Sequence, residues 1–249
     1  MEKYLAIDQG TTSSRAIIFD SNLEPIADFQ QEYSLSYPQD GWVEANPNEI
    51  LKTVNNSIEN VLDQVSEKIA SCGITNQRET TIVWSRITGE PIYPGIVWQD
   101  RRTTKICSQL KLEGHEEKVK QKTGLVLDPY FSATKIQWIL DNVKGARKKA
   151  NKGELMFGTV DSYLIYKLTK EKKHLTDVTN ASRTLLFNIH GMEWDEDLMN
   201  LFNIPMSMMP EVKDCDSEFG TLSISDTEIP IKGVIGDQQA ALVGQNCFK

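Results

Sequence analysis

The sequence has few cysteines and histidines and no long apolar run. Its 249 residues include four cysteines and three histidines, with no Cys-x-x-Cys pair. Scattered thiols of this kind exclude an obvious zinc site and argue against a disulfide framework. No apolar stretch approaches the roughly 20 residues that cross a bilayer, so no membrane span is predicted. We therefore expect reduced thiols in a cytoplasmic protein.

Positive charge is also scarce. The chain has 27 lysines and arginines against 35 aspartates and glutamates, which gives a net charge of −8. A nucleic-acid-binding protein usually presents a basic face, so we expect no nucleic acid among the partners. A basic run at Arg147, Lys148 and Lys149 has no aromatic residue among its charges, and we interpret it as a solvated helix face. The shares of hydrophobic residues, 39%, and charged residues, 25%, are ordinary for a globular protein.

The first part of the chain predicts three strands and a helix. Short apolar or alternating runs at residues 4–7, 16–19 and 26–33 are separated by tight polar turns, which indicates an antiparallel meander. Asn46 is a suitable helix cap and is followed by a proline suited to the first turn. Apolar residues then recur at steps of three and four over residues 50–69, so the spacing predicts one amphipathic helix there.

The rest of the chain alternates between strand and helix patterns. Residues 72–75 and 80–84 resemble buried strands, and residues 102–168 are mainly helical in pattern. Residues 231–235 form another apolar run, and a helix pattern begins at Gln238. Mixed strands and helices in this order predict an α/β fold.

A turn rich in hydroxyl groups follows the first predicted strand. It spans residues 8–15 and contains Thr11, Thr12, Ser13 and Ser14 after a glycine. Hydroxyls and backbone N–H groups concentrated at a tight turn form a cradle for phosphate oxygens. Asp8 is placed to hold Mg2+, directly or through water, because this ion favours a carboxylate together with substrate phosphates. A plain β-hairpin with polar turn residues is the alternative.

Two further polar groups lie at predicted strand ends. After the strand at 72–75, Arg78 offers several rigid donors and Glu79 only acceptors, so the pair is suited to bracket adjacent hydroxyl groups. A surface salt bridge is the alternative. After the strand at 231–235, Asp237 is suited to accept a proton from a substrate hydroxyl. A structural helix cap is the alternative there.

Two aromatic residues, Trp98 and Tyr130, stand beside polar segments. Each side chain offers an apolar ring surface and one group that can form a hydrogen bond. Isolated aromatic residues are more often part of the core, so the residues alone favour a structural role for both.

These motifs occur together in an order that resembles the N-terminal domain of the glycerol kinases, within the FGGY family of carbohydrate and polyol kinases. The resemblance extends over essentially the whole chain and is most specific at six segments. They are residues 8–15, 74–80, 98–101, 127–138, 180–184 and 236–242. The Gln-Arg-Glu triplet at 77–79 narrows the resemblance to the glycerol kinases.

The resemblance implies a ribonuclease-H-like α/β domain of the actin and hexokinase type, with a mixed sheet flanked by helices. It implies that residues 1–249 are the glycerol-binding and phosphate-holding N-terminal half and that a C-terminal nucleotide-binding domain lies outside this chain. It also assigns site residues. Glycerol would be held by Arg78, Glu79, Trp98, Tyr130, Asp237 and Gln238; the nucleotide phosphates by Thr11, Thr12, Ser13 and Arg15; and the metal by Asp8, with Asp237 as general base.

The implied reaction is transfer of the γ-phosphate of ATP to glycerol, with Mg2+, to give sn-glycerol 3-phosphate and ADP. We expect a homo-oligomer for the full-length enzyme and little activity from this half alone. Three alternatives remain open at this point. They are a related kinase of a pentulose or another sugar, an actin-like ATPase, and a non-catalytic polyol sensor.

Overall fold

A six-stranded mixed sheet and a smaller helical lobe make up the computed structural model, which describes residues 2–247. The strands are β1 (Lys3–Gln9), β2 (Ser13–Phe19), β3 (Pro25–Glu32), β4 (Leu35–Ser36), β5 (Glu44–Ala45), β6 (Ile69–Asn76), β7 (Ile82–Ser85), β8 (Gly95–Ile96), β9 (Leu155–Gly158), β10 (Leu175–Asp177), β11 (Phe187–Asn188), β12 (Glu193–Trp194), β13 (Glu211–Lys213), β14 (Gly220–Ile224) and β15 (Thr227–Gly236). The helices are α1 (Pro47–Leu62), α2 (Thr104–Leu112), α3 (Glu116–Thr123), α4 (Ser132–Asn142), α5 (Ala146–Asn151), α6 (Val160–Leu168), α7 (Val178–Ala181), α8 (Glu196–Leu201) and α9 (Asp237–Gly244).

The central sheet has the strand order β14-β15-β6-β1-β2-β3. Strands β1, β2 and β3 pair antiparallel, which confirms the predicted meander. Strands β6 and β15 run parallel to β1, and β14 pairs antiparallel with β15 at the sheet edge. The predicted α/β fold with a mixed sheet and flanking helices is confirmed.

Helix α1 begins where its sequence predicts and ends earlier. The side chain of Asn46 accepts a hydrogen bond from the backbone N–H of Asn48, 3.0 Å away, and the helix starts at the proline between them. The helix stops at Leu62, so the prediction of a helix up to residue 69 is wrong. Ile69 instead begins β6 and pairs with β1. The apolar spacing continued past the helix end because the next strand needs buried residues as well.

The core of the sheet lobe lies on one face of the sheet. Helices α1 and α6 both pack there against alternate residues of the strands, such as Leu5 and Ile7 of β1 and Ile74 of β6. On the opposite face, side chains such as those of Ile17 and Ile235 are only partly buried. Helix α9 directly follows the end of β15, and none of its residues is buried.

The second lobe has a core of its own, formed mainly by α4, α5, α8 and their connecting segments. The prediction of helices over residues 102–168 is correct for most of that range, but residues 155–158 form β9, which pairs antiparallel with β7. All four residues of β9 are buried. A short, fully buried apolar run has no periodicity that separates a strand from a helix.

None of the four cysteines, all within residues 2–247, forms a disulfide. Burial raises the pKa of the Cys107 thiol to about 11, so this group is a poor nucleophile at neutral pH. Within residues 2–247, no helix is both long and apolar enough to cross a membrane.

The burial of α1 generates a stability prediction. Ile58 is completely buried between α1 and the sheet, whereas Ile87 lies in a turn with 75% of its surface exposed. We expect Ile58→Ala to lower the free energy of unfolding by about 2–5 kcal/mol, because it leaves a cavity in the core. Ile87→Ala should change it by less than about 0.5 kcal/mol. Urea unfolding followed by circular dichroism measures both, and equal losses would contradict this assignment of the core.

Candidate active site

The predicted site residues come together at one edge of the central sheet. Strands β1, β6 and β15 are parallel neighbours, so their carboxyl ends meet there. Asp8 lies beside Thr75, and Asn76 lies beside Gly236 in the register of these strands. Ligand sites in parallel sheets usually form at the carboxyl ends of the strands. This edge is therefore the candidate active site.

The chain turns tightly as β6 ends. The backbone N–H of Thr80 donates to the carbonyl oxygen of Arg78 at 2.7 Å, and Glu79 between them has a φ of 60°. Positive φ is unfavourable for a residue with a Cβ, and such strain persists where the surroundings fix the conformation. Here the Glu79 carbonyl accepts from Thr81 Oγ1 and from Lys135 Nζ, each at 3.2 Å. This turn fixes the directions in which the Arg78 and Glu79 side chains point.

The carboxylate of Glu79 is almost completely buried. Its Oε1 accepts a hydrogen bond from Arg183 Nε at 2.6 Å. Loss of hydration raises the pKa of Glu79, and the charges of Arg183 and Arg78 oppose that shift only in part. Among residues 2–247, no donor reaches Oε2, which leaves an acceptor for a ligand hydroxyl. Arg78 and Glu79 expose only 4% and 2% of their surfaces, so the alternative of a surface salt bridge is wrong.

Arg78 joins the ends of β6 and β15. One of its terminal nitrogens donates to Gln238 Oε1 at 2.6 Å. Its Nε lies 3.5 Å from Asp237 Oδ1, which is too far for a hydrogen bond, and within residues 2–247 this buried nitrogen has no hydrogen-bond partner. A buried donor without a partner is costly, so this nitrogen is suited to meet a ligand oxygen. Asp237 itself is about half exposed. Gly236 occupies the N-cap position of α9, and Asp237 Oδ1 accepts a hydrogen bond from the backbone N–H of Gln238 at 2.7 Å, so this carboxylate also contacts the start of the helix.

The two aromatic residues form one wall of the site. The rings of Trp98 and Tyr130 lie 5.6 Å apart, and both residues are only partly buried. Trp98 Nε1 donates to Thr11 Oγ1 at 2.9 Å, which connects this wall to the hydroxyl-rich turn. Burial and the nearby charge of Glu79 raise the pKa of Tyr130. The structure therefore brings both residues to the site, although neither alone predicted a role there.

The hydroxyl-rich turn connects β1 to β2, so it is also the simple hairpin that was considered as an alternative. The backbone N–H of Gly10 donates to the carbonyl oxygen of Ser13 at 2.8 Å, which closes the turn. Thr12 is exposed at its tip, and Ser13 Oγ accepts from Gln30 at 2.9 Å. The guanidinium of Arg15 is paired with Asp28, so this arginine is engaged away from the turn.

Asp8 and Asp237 place two carboxylates at the open edge of the site. Partial loss of hydration and the negative charge of Asp237 raise the pKa of Asp8, while Arg15 lowers it. A divalent cation would relieve this repulsion, and Mg2+ is commonly held by one or two carboxylates plus phosphate oxygens. Across the described part of the chain, no cluster of three metal-ligating side chains exists that would form a complete cage. The donor set fits a metal that arrives with a phosphate ligand.

Three residues that the sequence analysis did not propose individually contact the site residues or the hydroxyl-rich turn. Lys135 is completely buried, and its Nζ donates to the carbonyl oxygens of Tyr130 at 2.8 Å and Glu79 at 3.2 Å. Burial lowers its pKa to about 7. Arg183 pairs with Glu79, and Gln77 Nε2 donates to the Gly10 carbonyl at 3.1 Å. A lysine within the apolar pattern of α4 was the one signal that could have indicated such a role.

With this geometry in place, comparison with known proteins identifies the family. Residues 3–244 match the FGGY family of carbohydrate kinases, N-terminal domain. The chain belongs to this family. It is 56% identical to glycerol kinase 1 of Pseudomonas aeruginosa over 98% of this chain and 51% of that protein. The chain thus spans about half the length of the curated relatives it matches.

Solved structures agree with this assignment. The crystal structure of Plasmodium falciparum glycerol kinase with ADP superposes with a TM-score of 0.94 at 38% identity, covering all of this chain and 51% of that one. A ligand-bound xylulose kinase from Lactobacillus acidophilus has a TM-score of 0.89 at 24% identity, over 99% of this chain and 50% of that one. At that identity the second comparison shows only the shared fold.

The pair between Glu79 and Arg183 generates a prediction that needs no substrate. We expect Arg183→Leu to lower the free energy of unfolding at pH 7 by about 1–3 kcal/mol, since it leaves a buried carboxylate without its main partner. Burial already raises the pKa of Glu79, and losing Arg183 raises it further. Protonation then relieves the penalty, so the loss should shrink as the pH falls toward 4.5, the usual glutamate value.

Urea unfolding at pH 7 and at lower pH measures this effect. Arg101→Leu is the matched control, because Arg101 pairs with Asp128 at a much more exposed position, and such pairs contribute about 0–1 kcal/mol. A loss in Arg183→Leu that does not depend on pH would contradict the role assigned to Glu79.

Proposed function

We propose that this chain is the substrate-holding half of an ATP-dependent glycerol kinase. The observation that carries the proposal is the buried pair of Arg78 and Glu79, with a free donor at Arg78 Nε beside the aromatic wall of Trp98 and Tyr130. A small polyol needs adjacent donors and acceptors together with an apolar surface for its carbon chain, and these side chains supply both. The 56% identity to the P. aeruginosa glycerol kinase supports the same substrate.

Glycerol binds between these groups in the proposed complex. Glu79 Oε2 accepts a hydrogen bond from one hydroxyl, and Arg78 Nε donates to a neighbouring hydroxyl oxygen. The carbon chain lies against Trp98 and Tyr130. Gln238 holds the Arg78 guanidinium in place, and it contacts the substrate from the same side. Specificity for a polyol follows because an analogue that lacks a hydroxyl leaves a buried polar group unpaired.

The hydroxyl-rich turn holds the nucleotide phosphates. In this proposal the hydroxyls and N–H groups of Thr11, Thr12 and Ser13, in the turn that follows β1, bind the phosphate oxygens, and Arg15 contributes a positive charge once it leaves Asp28. Asp8 would hold Mg2+, which when bound neutralises negative charge on the phosphate oxygens. The presence of ADP in the P. falciparum structure supports an adenine nucleotide as the donor.

Asp237 acts as the general base. Its carboxylate lies 3.5 Å from the Arg78 guanidinium, beside the place assigned to the glycerol hydroxyls, and its exposure leaves it open to the substrate. A terminal oxygen of glycerol attacks the γ-phosphorus, so a new O–P bond forms while the bond from the γ-phosphorus to the bridging oxygen of ADP breaks. The proton of the attacking hydroxyl passes to Asp237. The products are sn-glycerol 3-phosphate and ADP.

A second domain completes the enzyme in this proposal. Residues 1–249 form the N-terminal half, and a C-terminal nucleotide-binding domain supplies the adenine pocket and closes the cleft. The relatives that are about twice as long support this arrangement. We expect the complete enzyme to be a cytoplasmic homo-oligomer. Closure matters because both reactants must be aligned and water excluded.

The first test asks which substrate is used and which half is needed. An enzyme that joins this chain to its second half should phosphorylate glycerol and leave pentuloses unchanged in a coupled assay for ADP. This chain alone should show negligible turnover, and adding the second half as a separate chain should restore it. Pentulose turnover would support the related sugar kinases instead. Near-normal glycerol turnover by residues 1–249 alone would contradict the two-domain cleft.

The second test concerns Asp237. In the joined enzyme, Asp237→Asn should lower kcat about 100-fold or more, because the amide cannot accept the substrate proton. The melting temperature and KM for glycerol should change little, since the two side chains have nearly the same shape. Asp40→Asn, at another exposed aspartate, is the control. Unchanged kcat in Asp237→Asn would remove this residue from the chemical step.

A further inference from the structure

The carboxylate of Asp177 is completely buried, and both of its oxygens are occupied. Oδ1 accepts from the backbone N–H of Asn180 at 3.2 Å and from its Nδ2 at 2.7 Å. Oδ2 accepts from the backbone N–H of Thr179 at 2.8 Å and from its Oγ1 at 2.5 Å. The backbone contacts cap the short helix α7. Three side chains also donate to this carboxylate, namely Thr179, Asn180 and Cys215, whose Sγ lies 3.2 Å from Oδ2. The contacts with Thr179 and Asn180 go beyond a cap, because each continues to a strand that carries site residues.

The contact with Thr179 continues to the backbone next to Asp237, the proposed general base. A carboxylate only accepts hydrogen bonds, so the Thr179 hydroxyl must donate its proton to Asp177. Its oxygen is then free to accept, and the backbone N–H of Gly236 donates to it at 2.8 Å. Gly236 is the last residue of β15 and directly precedes Asp237. The direction of this chain of hydrogen bonds is therefore fixed, because the Gly236 N–H can only donate to the Thr179 oxygen.

The position of Gly236 also affects Arg78. A Cβ at residue 236 would overlap Cδ of Arg78 and lie 2.9 Å from its Cγ. The guanidinium side chain thus packs directly on this glycine, which has no side chain to displace it. A shift of the Gly236 backbone would move Asp237 and the Arg78 side chain together.

The contact with Asn180 continues to the end of strand β6. Asn180 and Asn76 exchange two side-chain hydrogen bonds, of 2.9 and 3.1 Å, and both residues are fully buried. Asn76 is the last residue of β6, and its Nδ2 also donates to the carbonyl oxygen of Gln77 at 2.8 Å. The same carboxylate is therefore connected to the strand end that carries Arg78 and Glu79.

We propose that Asp177 aligns the ends of β6 and β15 and that Thr179 is the positioning residue that sets the place of Asp237 through the Gly236 N–H. This inference rests on the proposed function for its effect on turnover. The structural part, the hydrogen bond from Gly236 to Thr179, stands independently of any activity. A base displaced by a fraction of an ångström loses much of its effect, so a residue that never touches the substrate controls kcat.

The decisive variant is Thr179→Val, which keeps the shape of the side chain and removes the hydroxyl. Thr179→Ser keeps the hydroxyl and should behave like the native protein. Thr123→Val is the matched control. Thr123 is buried, whereas Thr179 is partly buried. Like Thr179, it donates one hydrogen bond, to the Val119 carbonyl, and accepts one from a backbone N–H, that of Leu125, but it lies in α3 within the other lobe.

Two measurements separate positioning from general stability. Hydrogen exchange of the Gly236 amide, followed by NMR in this chain, should become at least about tenfold faster in Thr179→Val and stay near native in the other two variants. In the joined enzyme, kcat for glycerol should fall at least about tenfold in Thr179→Val, with a change in KM of less than about threefold. The kcat of Thr179→Ser should remain within about twofold of native.

The outcomes distinguish the two proposals. Native exchange at Gly236 and native kcat in Thr179→Val would overturn the inference, as would equal kcat losses in Thr179→Val and Thr123→Val. If Thr179→Val folds poorly, Thr179→Ala against Thr179→Ser gives the same contrast. If the native joined enzyme does not phosphorylate glycerol, the proposed function fails, and the exchange rate of Gly236 still decides whether Thr179 holds that backbone.

Discussion

Glu79 places a carboxylate where almost no water reaches it, and three cations from separate parts of the chain surround it. Arg78 comes from the end of β6, Lys135 from α4 and Arg183 from the segment after α7. Burying a charge is costly unless partners compensate it. The sheet lobe supplies the acid and the helical lobe supplies two of the cations, so the same electrostatic requirement that shapes the site also holds the two lobes together.

The contacts of Lys135 also explain how the strained turn at Glu79 is held. A positive φ costs of the order of 1–3 kcal/mol, and Lys135 Nζ helps to offset it by donating a hydrogen bond to the carbonyl of the strained residue. The same nitrogen donates to the carbonyl of Tyr130. One buried lysine thereby sets the spacing between the acid that binds hydroxyl groups and the aromatic wall. Moving either would remove a hydrogen bond from the buried Lys135 Nζ.

The sequence predicts local features well and distant partnerships poorly. The meander and the start of α1 follow from alternation, from Asn46 and from the proline after it, because the responsible residues are neighbours in the chain. Arg183 pairs with a residue 104 positions away, and no periodicity connects the two. The role of Thr179 is harder still to predict from the sequence. Its oxygen accepts from the backbone N–H of Gly236, and any residue except proline has such a group. Motifs identified the residues that touch the proposed substrate, whereas the residues that position them emerged only from packing.

In the proposed reaction, the two carboxylates at the sheet edge take different roles for a physical reason. Partial desolvation and repulsion by Asp237 raise the pKa of Asp8 above its usual value. Binding of Mg2+ with a nucleotide would remove that repulsion and leave Asp237 facing the substrate hydroxyl alone. Asp237 keeps its exposure and its contact with Arg78, and Thr179 fixes its backbone. In the proposed reaction Asp8 would hold the cation and Asp237 would accept the proton, and the hydrogen bond from the Gly236 N–H to Thr179 fixes the backbone directly before Asp237.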